Sequence, residues 1–303
     1  MDNIVFPRPL RRGDRIAIVS PASKIDASVV EGALPVLKEQ GWIPEVYPHA
    51  LGVSGTYSGT VEDRLADLTD ALSDSGIRAI MCSRGGYGAV HLLDRISSEL
   101  LQADPKWIIG FSDISALHAL MSRNGIVSIH SSMCRHLGAY GVNDEDSQSL
   151  FGILRGEMPS YCVNAHPWNK AGSAVGQVLG GNLAVLSALI GTPYAIIGRE
   201  GSILFIEDIA EPIYKVERIL YQMRLSGVFN RINGLVIGQF TEYRPDANYS
   251  DMLTMIHDMT SDLNMPVAYD FPIGHVDHNL PLIESAVAEL SVTPESACLR
   301  YLG

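Results

Sequence analysis

Short apolar runs rich in β-branched residues alternate with amphipathic stretches through the first half of the chain. The pattern predicts strands over 14–20, 43–47, 77–82, 107–111 and 127–129, and helices over 26–40, 61–74, 89–96 and 114–123. Leu65, Leu68 and Leu72 fall on one face of the second of these helices. Strand, helix and strand repeated in this way build βαβ units around a mostly parallel sheet of four or five strands. Residues 143–156 read as a further helix, and 157–172, with Pro159 and Pro167 and mixed polarity, as a crossing segment.

Beyond it the pattern predicts strands over 174–179, 202–206, 234–237, 266–269 and 286–290, with helices near 183–190, 213–225 and 250–263. The expected organisation is α/β throughout. A Rossmann- or flavodoxin-like domain with a mostly parallel sheet spans 1–156, a linker spans 157–172, and a smaller, β-rich α/β domain spans 173–303. A length of 303 residues suits two domains. There is no internal repeat and no low-complexity tract.

Composition narrows the function classes. A net charge of −12 argues against a nucleic-acid partner, whose affinity would come from Lys and Arg on phosphates, and favours a small or cationic substrate. The start, Met1 to Pro7, lacks the charged-then-apolar run of a signal peptide, so export by that route is not expected. Residues 171–198 carry no charge, but Gly180-Gly181-Asn182 and Gly191-Thr192-Pro193 break the run into a buried strand and helix rather than a membrane span. Cys82, Cys134, Cys162 and Cys298 lie far apart, which predicts reduced thiols in a cytoplasmic protein.

Residues just after strands have the strongest claim to chemistry in such sheets. Ser112 follows the apolar run 107–111 and precedes a helical pattern, as a nucleophile does in a G-x-S-x-G elbow, although Ile114 replaces the second glycine. A helix N-cap serine would give the same local pattern. Ser83-Arg84-Gly85-Gly86-Tyr87-Gly88 follows another strand, where glycines let backbone N–H groups approach an oxyanion or phosphate, or simply make a tight turn. Glu207 and Asp208 end an apolar strand, as working carboxylates or as caps of the next helix. His275, in a loop bounded by glycine and proline, is a candidate base, and a hydrogen-bonded surface histidine would look the same. Together Ser112, His275 and Glu207 supply a nucleophile, a base and a group to orient the base. A metal reading would use His130, Cys134 and His136, or His275 and His278, but neither spacing matches a familiar zinc motif. Met252, Met255 and Met259 fall at helical spacing and read as core.

These residues resemble the LD-carboxypeptidases, the muramoyltetrapeptide carboxypeptidases to which the microcin C self-immunity peptidases are related. The resemblance runs from Gly13–Ser23 through Ser83–Gly88, Gly110-Phe111-Ser112-Asp113, Gly180-Gly181-Asn182-Leu183, Gly191-Thr192-Pro193-Tyr194 and Ile206-Glu207-Asp208. It continues through the segment with Tyr214 and Arg218 to Gly274-His275. It implies catalytic Ser112, Glu207 and His275, and an oxyanion hole from the backbone N–H groups of Asp113 and Gly86. Arg84 and Gly85 are the residues expected to bind substrate, Arg84 through the free carboxylate. The implied substrate is a muropeptide, a tetrapeptide stem that loses its terminal D-Ala during peptidoglycan recycling, with no metal or other cofactor and no membrane partner. A homodimer is likewise what the family implies. Where the family often has His-Gly-Pro-Met, this chain has His130-Ser131-Ser132-Met133, which is expected to alter the adjoining subsite. The competing readings are a microcin-type peptidase, a metal-dependent amidase and a non-catalytic muropeptide-binding protein.

Overall fold

Strands that are apolar on both faces form the middle of a parallel sheet. The computed structural model, which describes residues 4–302, builds the first half of the chain that way. In chain order β1 (Arg15–Val19) leads through α1 (Ala27–Glu39) to β2 (Ile43–Val46), and α2 (Val61–Ser73) leads to β3 (Ile77–Cys82). Then α3 (Ser98–Ala103) leads to β4 (Trp107–Gly110) and α4 (Ser115–Arg123) to β5 (Ser128–His130), followed by α5 (Cys134–Tyr140) and α6 (Glu145–Leu154). The start of α2 is fixed by a reciprocal cap. The Thr60 hydroxyl accepts the Asp63 N–H at 3.1 Å, and the Asp63 carboxylate accepts the Thr60 N–H at 2.9 Å. The stretch expected as a helix over 89–96 is a tighter 3₁₀ turn, Ala89–Arg95, after which Ser97 caps α3.

The rest of the chain forms β6 (Ser160–Asn164), β7 (Gly172–Asn182), α7 (Leu183–Ser187), β8 (Ile203–Ile209), α8 (Ile213–Leu225), β9 (Gly234–Thr241), α9 (Met252–Thr260) and β10 (Val267–Ala268). It ends with β11 (Leu282–Glu284), β12 (Val287–Val292) and β13 (Ser296–Tyr301). The chain divides into two units. One comprises the residues up to 157 together with 280–285, and the other comprises 158–279 together with the residues from 286 onward. The segment 157–172, read from sequence as a linker, thus carries β6, and the short β11 returns to the first unit.

The first sheet has the order β11-β5-β4-β3-β1-β2. Its strands β1 to β5 are parallel, and β11 is an antiparallel edge on β5. The order turns back between β1 and β3, so the loops after β1, β3 and β4 stand at the place where doubly wound sheets bind ligands. The second sheet has the order β10-β9-β8-β7-β12-β13-β6. Its strand β7 serves two ladders, pairing antiparallel with β12 through its first half and parallel with β8 through its second.

Cysteine pairing departs from the expectation of four reduced thiols. Cys162 on β6 stands opposite Cys298 on β13 in an antiparallel register, and the two are joined by a disulfide. Sheet pairing brings together residues that are 136 apart in sequence, which no local pattern signals. Cys82 and Cys134 are free and buried. Residues 171–198 form β7 and α7, and among the described residues no helix is long and apolar enough to cross a membrane. Met1 to Asn3, part of the expected leaderless start, lie outside the described residues.

Candidate active site

Leaving β4, the chain turns at Ser112, one of the few non-glycine residues with positive φ, at 65°. A left-handed conformation costs a non-glycine residue free energy, so the surrounding structure must hold it there. The turn closes into a short 3₁₀ segment, Ser112–Ile114, that runs directly into α4. The elbow forms without the second glycine because close packing falls on the first. A methyl group on Gly110 would meet the Ile114 side chain at 3.0 Å and Cys82 Cβ at 3.2 Å.

The loop after β3 lies against this turn. A Cβ on Gly85 would stand 2.8 Å from Ser112 Cβ and 3.2 Å from the Asp113 nitrogen. Gly86, at φ 111°, passes close to Ser23, and the Ser23 hydroxyl accepts the Tyr87 N–H at 3.2 Å. Arg64, buried on α2, ties the loop to the one after β1 by donating to the carbonyls of Pro21 at 2.7 Å and Gly88 at 2.8 Å. The Asp113 side chain accepts the Ala89 N–H at 2.8 Å. Burial pushes its carboxyl up to about 6, against the pull of the Ala89 amide and the Arg64 charge. Arg84 is exposed and donates to the Lys24 carbonyl at 3.1 Å.

In the second unit, Glu207 on β8 is fully buried, and its Oε2 lies 2.8 Å from His275 Nδ1. The carboxylate reaches the imidazole because the chain between them has no side chain in the way. Gly274, at φ 125°, would place a Cβ 2.9 Å from Glu207 Oε2. The loop is held on one side by β9, whose Gln239 donates its N–H to the Ile273 carbonyl at 2.8 Å. On the other side the Gly274 N–H donates to Asn279 Oδ1, also at 2.8 Å. Strand alternation turns the neighbouring carboxylate the other way. Asp208 accepts from Asn182 Nδ2 at 2.8 Å and from the Ala184 N–H at 2.9 Å, anchoring the start of α7. Burial, and next the Glu207 charge, push the Asp208 carboxyl up to about 6. Of the two neighbouring carboxylates near the end of β8, one meets the histidine and one the helix.

Of the residues in the competing metal reading, His136 alone falls in a cluster with ligand spacing. Among the described residues, the one cluster with ligand spacing is His136, Asp144 and Asp146, in which His136 Nε2 and Asp144 Oδ2 are hydrogen-bonded at 2.7 Å. It includes none of His130, Cys134, His275 or His278. Burial raises the Cys134 thiol to about 12, which disfavours the thiolate a metal needs. Arg64, Asn279 and the Asp113 side chain escaped the sequence reading. A polar residue on a helix or loop carries no mark of the backbone it will brace.

A serine at a strand-end turn and a buried carboxylate bonded to a histidine are the kinds of group that a serine peptidase uses. The chain belongs to the LD-carboxypeptidase family, matching its N-terminal domain over residues 16–131 and its C-terminal domain over residues 175–290, and it is a serine carboxypeptidase. It is 32% identical over 295 residues to a putative carboxypeptidase of Streptomyces coelicolor, covering 96% of this chain and 94% of that one. It is 31% identical over 289 residues to the murein tetrapeptide carboxypeptidase of Pseudomonas aeruginosa, covering 91% and 93%. The crystal structure of the muramoyltetrapeptide carboxypeptidase from Oxalobacter formigenes superposes with a TM-score of 0.86 at 26% identity, over 95% of this chain and 99% of that one.

Proposed function

We propose that the enzyme removes the terminal D-Ala from the tetrapeptide stem of murein, with Ser112 as nucleophile, His275 as base and Glu207 as the group that orients the base. The Glu207–His275 bond supports this reading most directly. A carboxylate oxygen only accepts, so Nδ1 carries the proton and Nε2 carries the lone pair that a general base needs. As Ser112 Oγ adds to the carbonyl carbon of the diamino acid, His275 takes its proton. The Asp113 and Gly86 N–H groups stabilise the oxyanion. When the C–N bond breaks, the same proton passes to the departing D-Ala amine, and water then hydrolyses the ester by the reverse sequence. Arg84 supplies the positive charge for the free carboxylate, and Gly85 lets the peptide approach the backbone. The similarity to carboxypeptidases named for murein supports this substrate. Its place is the cytoplasmic recycling of murein fragments, and the family points to a homodimer.

Incubation with L-Ala-D-Glu-meso-diaminopimelate-D-Ala tests the reading. The wild type is expected to release D-Ala, and Ser112→Ala and His275→Ala are each expected to lose about 10³-fold or more in kcat. Absence of release by the wild type, with turnover of an acyl-sulfamoyl nucleoside, would transfer the enzyme to the microcin branch. Equal release by Ser112→Ala would remove the serine mechanism.

A further inference from the structure

A second histidine, with no part in the proton transfers above, sits directly behind the nucleophile turn. His118 lies on α4, fully buried, and its two ring nitrogens meet different partners. Nε2 is 2.8 Å from the carbonyl oxygen of Gly110, and Nδ1 is 2.8 Å from Ser128 Oγ on β5. The Gly110 carbonyl also accepts the Ser131 N–H at 3.1 Å. Gly110 closes β4 two residues before Ser112, and α4 begins three residues after it. The bond from His118 therefore spans the elbow, joining the strand that enters the turn to the helix that leaves it.

We propose that His118 is a positioning residue that holds Ser112 in its left-handed conformation by donating from Nε2 to the Gly110 carbonyl, with the Ser128 hydroxyl fixing the required tautomer. This rests on Ser112 being the nucleophile. A carbonyl can only accept, so Nε2 bears the hydrogen, and Nδ1 of a neutral ring must then accept, which only a donating Ser128 hydroxyl satisfies. Burial keeps the ring neutral by pushing His118 down to about 4. A strained residue persists only where the surrounding structure over-determines it. His118 from α4 and Ser131 from just beyond β5 both hold the Gly110 carbonyl at the entry to the turn, Ser131 within the stretch where this chain departs from the family's usual His-Gly-Pro-Met.

The test compares wild type, His118→Gln and His118→Leu, following D-Ala release from the tetrapeptide and the rate at which a small uncharged fluorophosphonate labels Ser112. Both are read well below each variant's unfolding midpoint. Glutamine can place an amide N–H where Nε2 stood. His118→Leu is expected to lower kcat and the labelling rate by about tenfold with KM little changed, and His118→Gln to recover most of both. Nitrogen-15 spectra of histidine-labelled wild type, with the His118 signals assigned by their loss in His118→Gln, are expected to show the Nε2–H tautomer at neutral pH. This reading does not depend on whether His118→Leu folds. An Nδ1–H or doubly protonated ring, a His118→Leu enzyme with wild-type kcat and labelling, or a glutamine variant as impaired as leucine would each overturn the proposal. Failure of the fluorophosphonate to label Ser112 in wild type, with D-Ala still released, would instead show that the nucleophile itself is misassigned, and the inference would fall with it.

Discussion

Gly85 and Ser112 approach so closely that a single methyl group on the glycine would stand 2.8 Å from Ser112 Cβ and 3.0 Å from its Oγ. Such a contact lies inside the van der Waals limit, and the atoms around it, Asp113 N among them, are backbone or held by backbone. Gly85→Ala is therefore expected to displace the serine and cost about 10²-fold in kcat/KM, since small misplacements of a nucleophile cost that much. Steady-state release of D-Ala measures it, and a variant within a factor of two of wild type would show that the loop yields freely.

Glu207 and Gly274 form a second close pair. In Glu207→Gln the shape is kept but the amide no longer enforces the Nδ1–H tautomer of His275, and kcat is expected to fall by about 10² to 10⁴-fold. Folding stability should hold or rise, because a buried charge is removed. Gly274→Ala should lose activity as well, because the new Cβ would stand 2.9 Å from Glu207 Oε2 at a φ of 125°. Denaturation midpoints measured beside kcat separate the two effects, and a Glu207→Gln enzyme with wild-type kcat would remove Glu207 from the mechanism.

The Asp113 carboxyl gives a pH signature of stability. Burial raises it from 3.8 to about 6, so the folded state holds this proton more tightly than the unfolded chain does. Its contribution is complete below the unfolded value and is lost as pH rises through about 6. The loss amounts to at most about 3 kcal/mol. In Asp113→Asn this component disappears. The difference in unfolding free energy between variant and wild type should thus change between pH 4 and 7 and be flat above it, as urea titrations at several pH values would show. A constant difference across that range would mean that Asp113 is not perturbed by burial.

The Cys162–Cys298 bond is checked by counting thiols. Alkylation of the unfolded, air-oxidised protein should modify Cys82 and Cys134 alone, and all four cysteines after reduction, as intact mass will show. Closing a loop of 136 residues constrains the unfolded chain, so reduction is expected to lower stability by about 2–5 kcal/mol. In cells, a cytoplasmic location predicts the reduced pair, and rapid acid quenching before alkylation reads that state directly.

The central strands were legible because burial on both faces leaves a continuous apolar run, as in Trp107–Gly110. The edge strand β6 alternates half-buried and exposed positions over five residues with no buried one, and its sole partner, β13, lies more than a hundred residues further along the chain. Strand β11, three residues long with the buried Glu284 at its end, gives no local signal at all. In the candidate site the same division holds. Ser112, Glu207 and His275 stood out because each follows a strand pattern. Arg64 and His118 could not, since a charged or polar residue on a helix reads as solvated until tertiary structure shows which carbonyls it faces.

Strand β11 has a consequence for biosynthesis. The first sheet takes its outer strand from residues 282–284, near the end of the 303-residue chain. An N-terminal domain usually folds while its successor is still being made. Here β5 is made with a bare edge, and it stays open to pairing with another chain until residues 282–284 have been synthesised and have left the ribosome. A ribosome stalled in the second unit would hold the sheet that carries the Ser112 turn assembled but unsealed.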